Sequence, residues 1–224
     1  MLKIKWIGQA GYILSDGVTT ICIDPYLSDV VNRVANRPRA VPAPLLPEEL
    51  KADVVICTHN HLDHTDIDAI PYMDKNIQFF APDDCKKTLM ELGVINYNEF
   101  NEGKTVKFGN FEFTAVFADH TVSAVGVVLK HSGNTLYFTS DTLYNEKLAQ
   151  IKCDILFICI NGKLGNMNAE QAAKITNLIS PETAVPNHYD MFESNSENPK
   201  NFKVSNRFIM ELNKNYEVKN GCLI

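Results

Sequence analysis

Residues 52–58, apolar without a break over 54–57, run directly into His59-Asn60-His61-Leu62-Asp63-His64. A short apolar run of this kind reads as a strand buried on both faces, and such strands belong to layered α/β sheets. The polar cluster would then hang from the sheet's edge. His59 and His61 lie two apart, so at a strand end their side chains leave the same face, and Asp63 and His64 follow as the chain turns. Three of the chain's six histidines thus fall within six residues. Neutral imidazoles and carboxylates suit borderline divalent ions such as zinc, manganese or iron(II), and crowding them without a cation is electrostatically awkward. The bland alternative is a surface loop that happens to be rich in histidine.

One loop cannot fill two coordination shells, so further ligands must come from other strand ends. His120 follows the strand-like run 113–118, Asp141 follows 135–140, and His188 follows 183–186. Each is a metal-compatible residue just past a strand, where the sites of layered sheets collect. Singly, each reads equally well as a capping, turn or surface residue.

Elsewhere the pattern alternates. Strands are expected over 3–7, 11–15, 20–23, 77–81, 105–108, 111–118, 124–131, 135–139, 154–160 and 183–186, with Ser132-Gly133-Asn134 as a hairpin turn. Helices are expected over 66–73, over 83–92 with Asp83 or Asp84 as cap and Gly93 as stop, over 169–179 and around 202–213. Helix-covered sheets follow. The Pro-rich stretch 24–47 is too long for an ordinary connection, and loops of that length often cover a site.

Composition narrows the function classes. With 224 residues, 45% of them hydrophobic, the chain can fill one sizeable core, and a single domain over 1–224 is expected. A net charge of −6 with no Lys/Arg run argues against a nucleic-acid partner. No stretch approaches 18 uncharged apolar residues, and Cys22, Cys57 and Cys159 sit inside apolar runs with no CxxC pair. A cytoplasmic protein with reduced thiols, no membrane partner and no zinc-thiolate site is the expectation.

His-x-His-x-Asp-His followed by a distant His, an Asp and a last His resembles the metallo-β-lactamase superfamily. The resemblance implies an αββα sandwich of two mixed, mainly antiparallel sheets covered by helices. It implies that His59, His61 and His120 hold one metal, that Asp63, His64 and His188 hold the other, and that Asp141 bridges them. Trp6-Ile7-Gly8-Gln9-Ala10-Gly11, Ser140-Asp141-Thr142 and Pro186-Asn187-His188-Tyr189 are further similar to the UlaG-like group, which contains L-ascorbate-6-phosphate lactonases. The chain departs from glyoxalase II and many lactonases, since Asp119-His120-Thr121 lacks their Gly-His-Thr-Pro-Gly setting.

Two zinc or manganese ions, or iron, would then act on a small anionic substrate such as a phosphorylated lactone. Ions about 3.5–4 Å apart bring a shared water's pKa toward about 7, giving hydroxide at neutral pH. Asp63, His64 and Asp141 are the residues nearest that chemistry. Asp24, after an Ile-Cys-Ile strand, is a candidate to receive an imidazole N–H or to border the substrate. Lys163, beside Gly162, is a candidate to bind a substrate phosphate or carboxylate, and Tyr189 to line the pocket. The alternatives are a metallo-phosphodiesterase or nuclease of the same superfamily and a non-catalytic metal-binding protein. A homo-oligomer is compatible with the resemblance.

Overall fold

The computed structural model describes residues 1–224. Its first half builds β1 (Lys3–Gly8), β2 (Gly11–Ser15), β3 (Thr20–Ile23), β4 (Val54–Ile56), β5 (Gln78–Ala81) and β6 (Tyr97–Glu99). The chain then lays down β7 (Thr105–Phe108), β8 (Phe111–Phe117), β9 (Val125–His131), β10 (Asn134–Phe138), β11 (Ile155–Cys159) and β12 (Thr183–Asn187). It returns to the first sheet with β13 (Asn215–Lys219) and β14 (Cys222–Leu223). One sheet has the order β14-β13-β1-β2-β3-β4-β5-β6, the other β12-β11-β10-β9-β8-β7. Pairing is antiparallel from β7 to β10, and parallel from β3 to β6 and from β10 to β12.

Strand periodicity assigns each side chain to a layer. On β3, β4 and β5, Ile21, Ile23, Val54, Ile56 and Phe80 face the core between the sheets. Their neighbours Cys22, Val55, Phe79 and Ala81 face a second core on the outer side. The helix α2 (Asp83–Glu91) covers that side with Cys85 and Leu89. Opposite, α3 (Ala169–Ile179) covers the second sheet with Ala172, Ile175 and Ile179, which is why β11 is apolar at every position. The result is the αββα sandwich that the sequence resemblance implied. Tyr12 from one sheet and Phe138 and Phe157 from the other meet at ring distances of 4.3–5.2 Å at its centre. No helix is long and apolar enough to cross a membrane.

Local chemistry sets the turns and caps. Asn168 and Gln171 form a reciprocal capping box at the start of α3. Ser132 and Gly133, both with positive φ, close a two-residue hairpin between β9 and β10. Asp83 and Asp84 stand in the first turn of α2 and cap nothing with their side chains; Pro82 occupies the cap position. Within the long loop after β3 lie one short α-helix, α1 (Val30–Ala35), and a 3-10 turn over Pro47–Glu49.

Two expected helices are absent. Over 66–73 Asp66 does accept from the Asp68 and Ala69 amides as an N-cap would, but only a 3-10 turn over Ile70–Tyr72 follows. Pro71 lacks the N–H that would continue an α-helical ladder. Residues 202–213 are not helical either: the Phe208 amide donates to the Ala184 carbonyl, and the Ala184 amide to the Asn206 carbonyl. β12 is an edge strand with open backbone groups, and covering them outweighs a weak helical preference.

Candidate metal centre

β4 ends at Ile56, and Thr58 is pinned by Asp24, whose carboxylate accepts from the Thr58 amide at 2.8 Å and from its hydroxyl at 2.7 Å. The chain then reverses sharply, with the His64 and Thr65 amides both donating to the His61 carbonyl. That reversal gathers the rings: His59 lies 4.0 Å from His64 and 4.7 Å from His61, centre to centre. The other sheet supplies the rest from just past β8 (His120), β10 (Asp141) and β12 (His188).

Hydrogen bonds fix which nitrogen of each ring faces inward. The His120 Nδ1 donates to the Gly165 carbonyl at 3.0 Å, His59 Nδ1 to the Thr58 hydroxyl at 3.1 Å, and His64 Nδ1 to Asp24 Oδ2 at 2.8 Å. In the neutral ring each leaves its Nε2 as a lone pair. His59 Nε2 and His120 Nε2 approach His61 Nδ1 to 3.0 and 3.2 Å. Nearby, Asp141 Oδ1 lies 3.3 Å from His64 Nε2 and 3.1 Å from His188 Nε2, and Asp63 Oδ2 lies 3.5 Å from His188 Nε2.

Two groups of ligand atoms result, His59, His61, His120 and Asp141 in one and Asp63, His64 and His188 in the other, each within 4.8 Å. Asp141 reaches from the first to the second. Its Oδ1 and the His64 Nε2 are buried and have no hydrogen-bond partner. Buried polar atoms are rarely left so, and nitrogen lone pairs that converge on each other beside carboxylates are the donor set of a borderline divalent cation. The residues present therefore fit a centre for divalent metal.

Protonation follows the same division. Burial holds His59 well below its ordinary range, with His64 adding to the effect, and lowers His61 likewise with His120 beside it. These rings are neutral, the form that binds metal. At His64 burial also opposes charge, but Asp141, Asp24 and Asp63 outweigh it and the ring is raised. His188 is pushed up to about 9, Asp141 and Asp63 overcoming its burial. Both carboxylates are held low against their own burial, Asp141 chiefly by His188 and Asp63 chiefly by His64. Without a cation, protons on His64 and His188 supply the positive charge that these carboxylates demand; a divalent ion supplies it in their place.

All seven ligand residues read from the sequence come together. Asp24 is buried behind His64 and does not line the cavity above the ligands, so of its two expected roles the geometry matches the imidazole N–H and not the substrate. Lys163 does not face the cavity, because its Nζ donates to the Ser194 carbonyl at 2.7 Å. Tyr189 packs its ring 5.1 Å from Trp6, away from the metal ligands. Sequence reasoning missed Gln9, whose Nε2 donates to Asp63 Oδ2 at 2.7 Å, and Asn166, whose Nδ2 donates to Asp141 Oδ2 at 2.9 Å. It also missed Arg37, which borders the cavity of about 410 Å³ above the ligands. The one sequence signal for Gln9 was a polar residue locked between Gly8 and Gly11 in a turn joining two apolar strands.

Five of the eleven non-glycine residues with positive φ belong to this region: Gln9, Asp24, Ser140, Leu164 and His188. Such backbone is strained and gathers at functional sites. Gly165 has a related duty, since a Cβ there would lie 2.8 Å from His120 Nδ1 and displace the ring.

A sandwich of two sheets, with a His/Asp cluster where strand ends of both meet, defines a metal-centre protein of the metallo-β-lactamase fold. The Beta-lactamase superfamily domain model matches residues 19–189. A UPF0173 metal-dependent hydrolase of Pyrococcus abyssi is 30% identical, covering 91% of this chain and 91% of its own length. Another, of Archaeoglobus fulgidus, is 29% identical over 90% of this chain and 89% of its own. The structure of Igni18, a metallo hydrolase of Ignicoccus hospitalis, superposes with a TM-score of 0.78 at 21% identity, covering 97% of this chain and 99% of that one. The chain belongs to the β-lactamase superfamily and, within it, to the UPF0173 metal-dependent hydrolase family.

Proposed function

We propose that this chain is a hydrolase that works with two metal ions on a small anionic substrate such as a phosphorylated lactone. The observation that carries the reading is the unpartnered Asp141 Oδ1, set between the nitrogens of His64 and His188 while the same side chain joins His59, His61 and His120. When bound, two divalent ions would bring water to a pKa near 7 and polarise a scissile carbonyl or phosphoryl oxygen.

The chain's own residues prepare the site for that chemistry. Asp24 and the Gly165 carbonyl hold the His64 and His120 rings by their outer nitrogens, so that the inner ones face the ions. Asn166 occupies one oxygen of Asp141 and leaves the other facing the centre, and Gln9 steadies the Asp63 oxygen that faces His188. Asp63 borders the cavity and is placed to take the proton of the attacking water. Zinc, manganese and iron all suit these donors. The likeness to the UlaG-like group supports a lactone; the net charge of −6 counts against the nuclease alternative. Six free cysteines, four of them buried, support a cytoplasmic setting.

Metal analysis of the purified protein, followed by a screen of lactones, phosphodiesters and thioesters with added zinc or manganese, tests the reading. Two equivalents per chain and turnover of at least one lactone are expected, with turnover abolished in Asp63→Asn and His61→Ala while circular dichroism stays unchanged. A preference for phosphodiesters would replace the substrate class. Undiminished turnover in both variants would sink the two-metal mechanism.

A further inference from the structure

The cavity above the metal ligands has two walls the ligands do not account for. One is apolar: Val31 from α1, Leu62 from the histidine loop and Leu164 from the loop after β11. Leu164 is 54% exposed and holds a φ of 56°, which costs a non-glycine residue about 1–2 kcal/mol. An apolar side chain kept in strained backbone at a cavity rim is a contact surface for something else. The other wall is Arg37, one residue beyond the C-cap of α1.

The chain has four arginines, and the other three have obvious structural employment. Arg33 forms a bidentate pair with Asp68. Arg39 lies over the Tyr26 ring and donates to the carbonyls of Tyr26, Ser28 and Val41, and Arg207 donates to those of Lys200 and Phe202. Arg37 has no ion pair. Its single hydrogen-bond partner is the Asn195 amide, whose oxygen accepts from Nη1 at 3.3 Å once that amide is oriented to satisfy both its ends. Lys163, next to Leu164 in the chain, is turned away to the Ser194 carbonyl. A half-buried guanidinium with most of its five donors free, beside a cavity, presents a fork that matches carboxylate or phosphate oxygens.

We propose that Arg37 recognises the anionic end of the substrate, and that the substrate is a small acid whose apolar segment lies on Val31, Leu62 and Leu164. This rests on the reading of the cavity as the site of hydrolysis, and it names the class of molecule that enters. The acid group, carboxylate or phosphate, is set by Arg37 and the segment next to it by the leucines. The bond cut lies over His61, Asp63, Asp141 and His188, which line the same cavity.

Isothermal titration calorimetry on the full-length, metal-loaded protein tests this with three probes: 4-phenylbutyrate, 3-phenylpropylphosphonate and the neutral 4-phenylbutyramide. At least one acid should bind about tenfold or more tightly than the amide, the factor expected of hydrogen bonds between charged groups. Whichever acid binds better identifies the anion. Arg37→Gln should erase the preference and leave the amide's affinity and the metal content unchanged; Arg37→Lys should restore part of it. Equal affinity of the acids for wild type and Arg37→Gln would overturn the proposal, because the anion would then be held by the metals alone. So would a wild type that does not distinguish acid from amide. A protein that loads two metals and turns over substrate without preferring acids refutes Arg37 recognition alone. A protein without metal or turnover that still prefers them through Arg37 refutes the hydrolase reading alone.

Discussion

Asp24 shows how much a single buried carboxylate can decide. It accepts from the Thr58 amide and hydroxyl and from His64 Nδ1, so it fixes both the strand end and the tautomer of one ligand. Asn tolerates left-handed backbone, so Asp24→Asn keeps the φ of 44° while presenting an NH2 where an acceptor stood. His64 would then have to accept at Nδ1 and carry its proton on Nε2, the nitrogen aimed at Asp141. Metal affinity at the Asp63, His64 and His188 position should fall about 10–100-fold, as for other residues that orient a ligand. Metal content after dialysis, read beside an unchanged circular dichroism spectrum, checks it; two tightly held equivalents in the variant would refute the role. The seven candidate ligands could be picked out because each is a metal-compatible residue just past a strand, and the fold brings them together. Gln9, Asn166 and Arg37 could not, since an amide or guanidinium in a turn has no periodicity and its partner is set only by the folded chain. Lys163 looked like an anion site for its glycine neighbours, yet the Ser194 carbonyl was closer.

At the scale of elements, the strands of the sandwich were legible wherever apolar residues alternate or run together between turn signals. β6, with its polar Tyr-Asn-Glu sequence, and the two-residue β14 carry no such signal and were missed; β13 does alternate, as Asn-Tyr-Glu-Val-Lys, and was overlooked. The absent helix over 66–73 is the instructive case. Asp66 is fully buried, and besides its cap bonds its carboxylate accepts from the Leu27 and Ser28 amides at 2.9 and 2.8 Å and from the Ser28 hydroxyl at 2.6 Å. One side chain thus ties the histidine loop to the start of the long loop that carries α1 and Arg37. Asp66→Ala would leave two buried amides without an acceptor, each costing about 1–3 kcal/mol. A loss of about 3 kcal/mol or more in urea unfolding is expected, with the cavity wall built on α1 loosened; a loss below about 1 kcal/mol would show that water replaces the carboxylate.

Seen whole, the sandwich is pinned at both ends by polar clusters that cross between its sheets. At one end β4 delivers four candidate metal ligands to meet three from just past β8, β10 and β12. At the other, where β2 and β9 finish, Asp16 accepts from the Val18 and Thr19 amides of its own turn, from Asn110 Nδ2 at 2.9 Å and from His131 Nε2 at 3.2 Å. Asn110 and His131 belong to the second sheet, so this carboxylate joins the two layers far from the metals. The Thr19 amide above all, then Asn110, holds the Asp16 carboxyl well below its ordinary value. A carboxyl lower in the folded than in the unfolded chain stabilises the fold above the unfolded pKa, and that contribution is lost as pH falls toward the folded one. Unfolding free energies of wild type and Asp16→Asn should therefore differ by about 1–2 kcal/mol at pH 7, the worth of hydrogen bonds to a charged group. The two curves should stay parallel down to about pH 5 and converge below about pH 4, where the unfolded carboxyl takes up its proton. Because the metal ligands titrate too, the comparison is made with both proteins stripped by chelator, so that their contribution cancels in the difference. Curves that run parallel down to pH 2 would mean that Asp16 acts by shape and hydrogen bonding alone, and its charge would then have no part in joining the sheets.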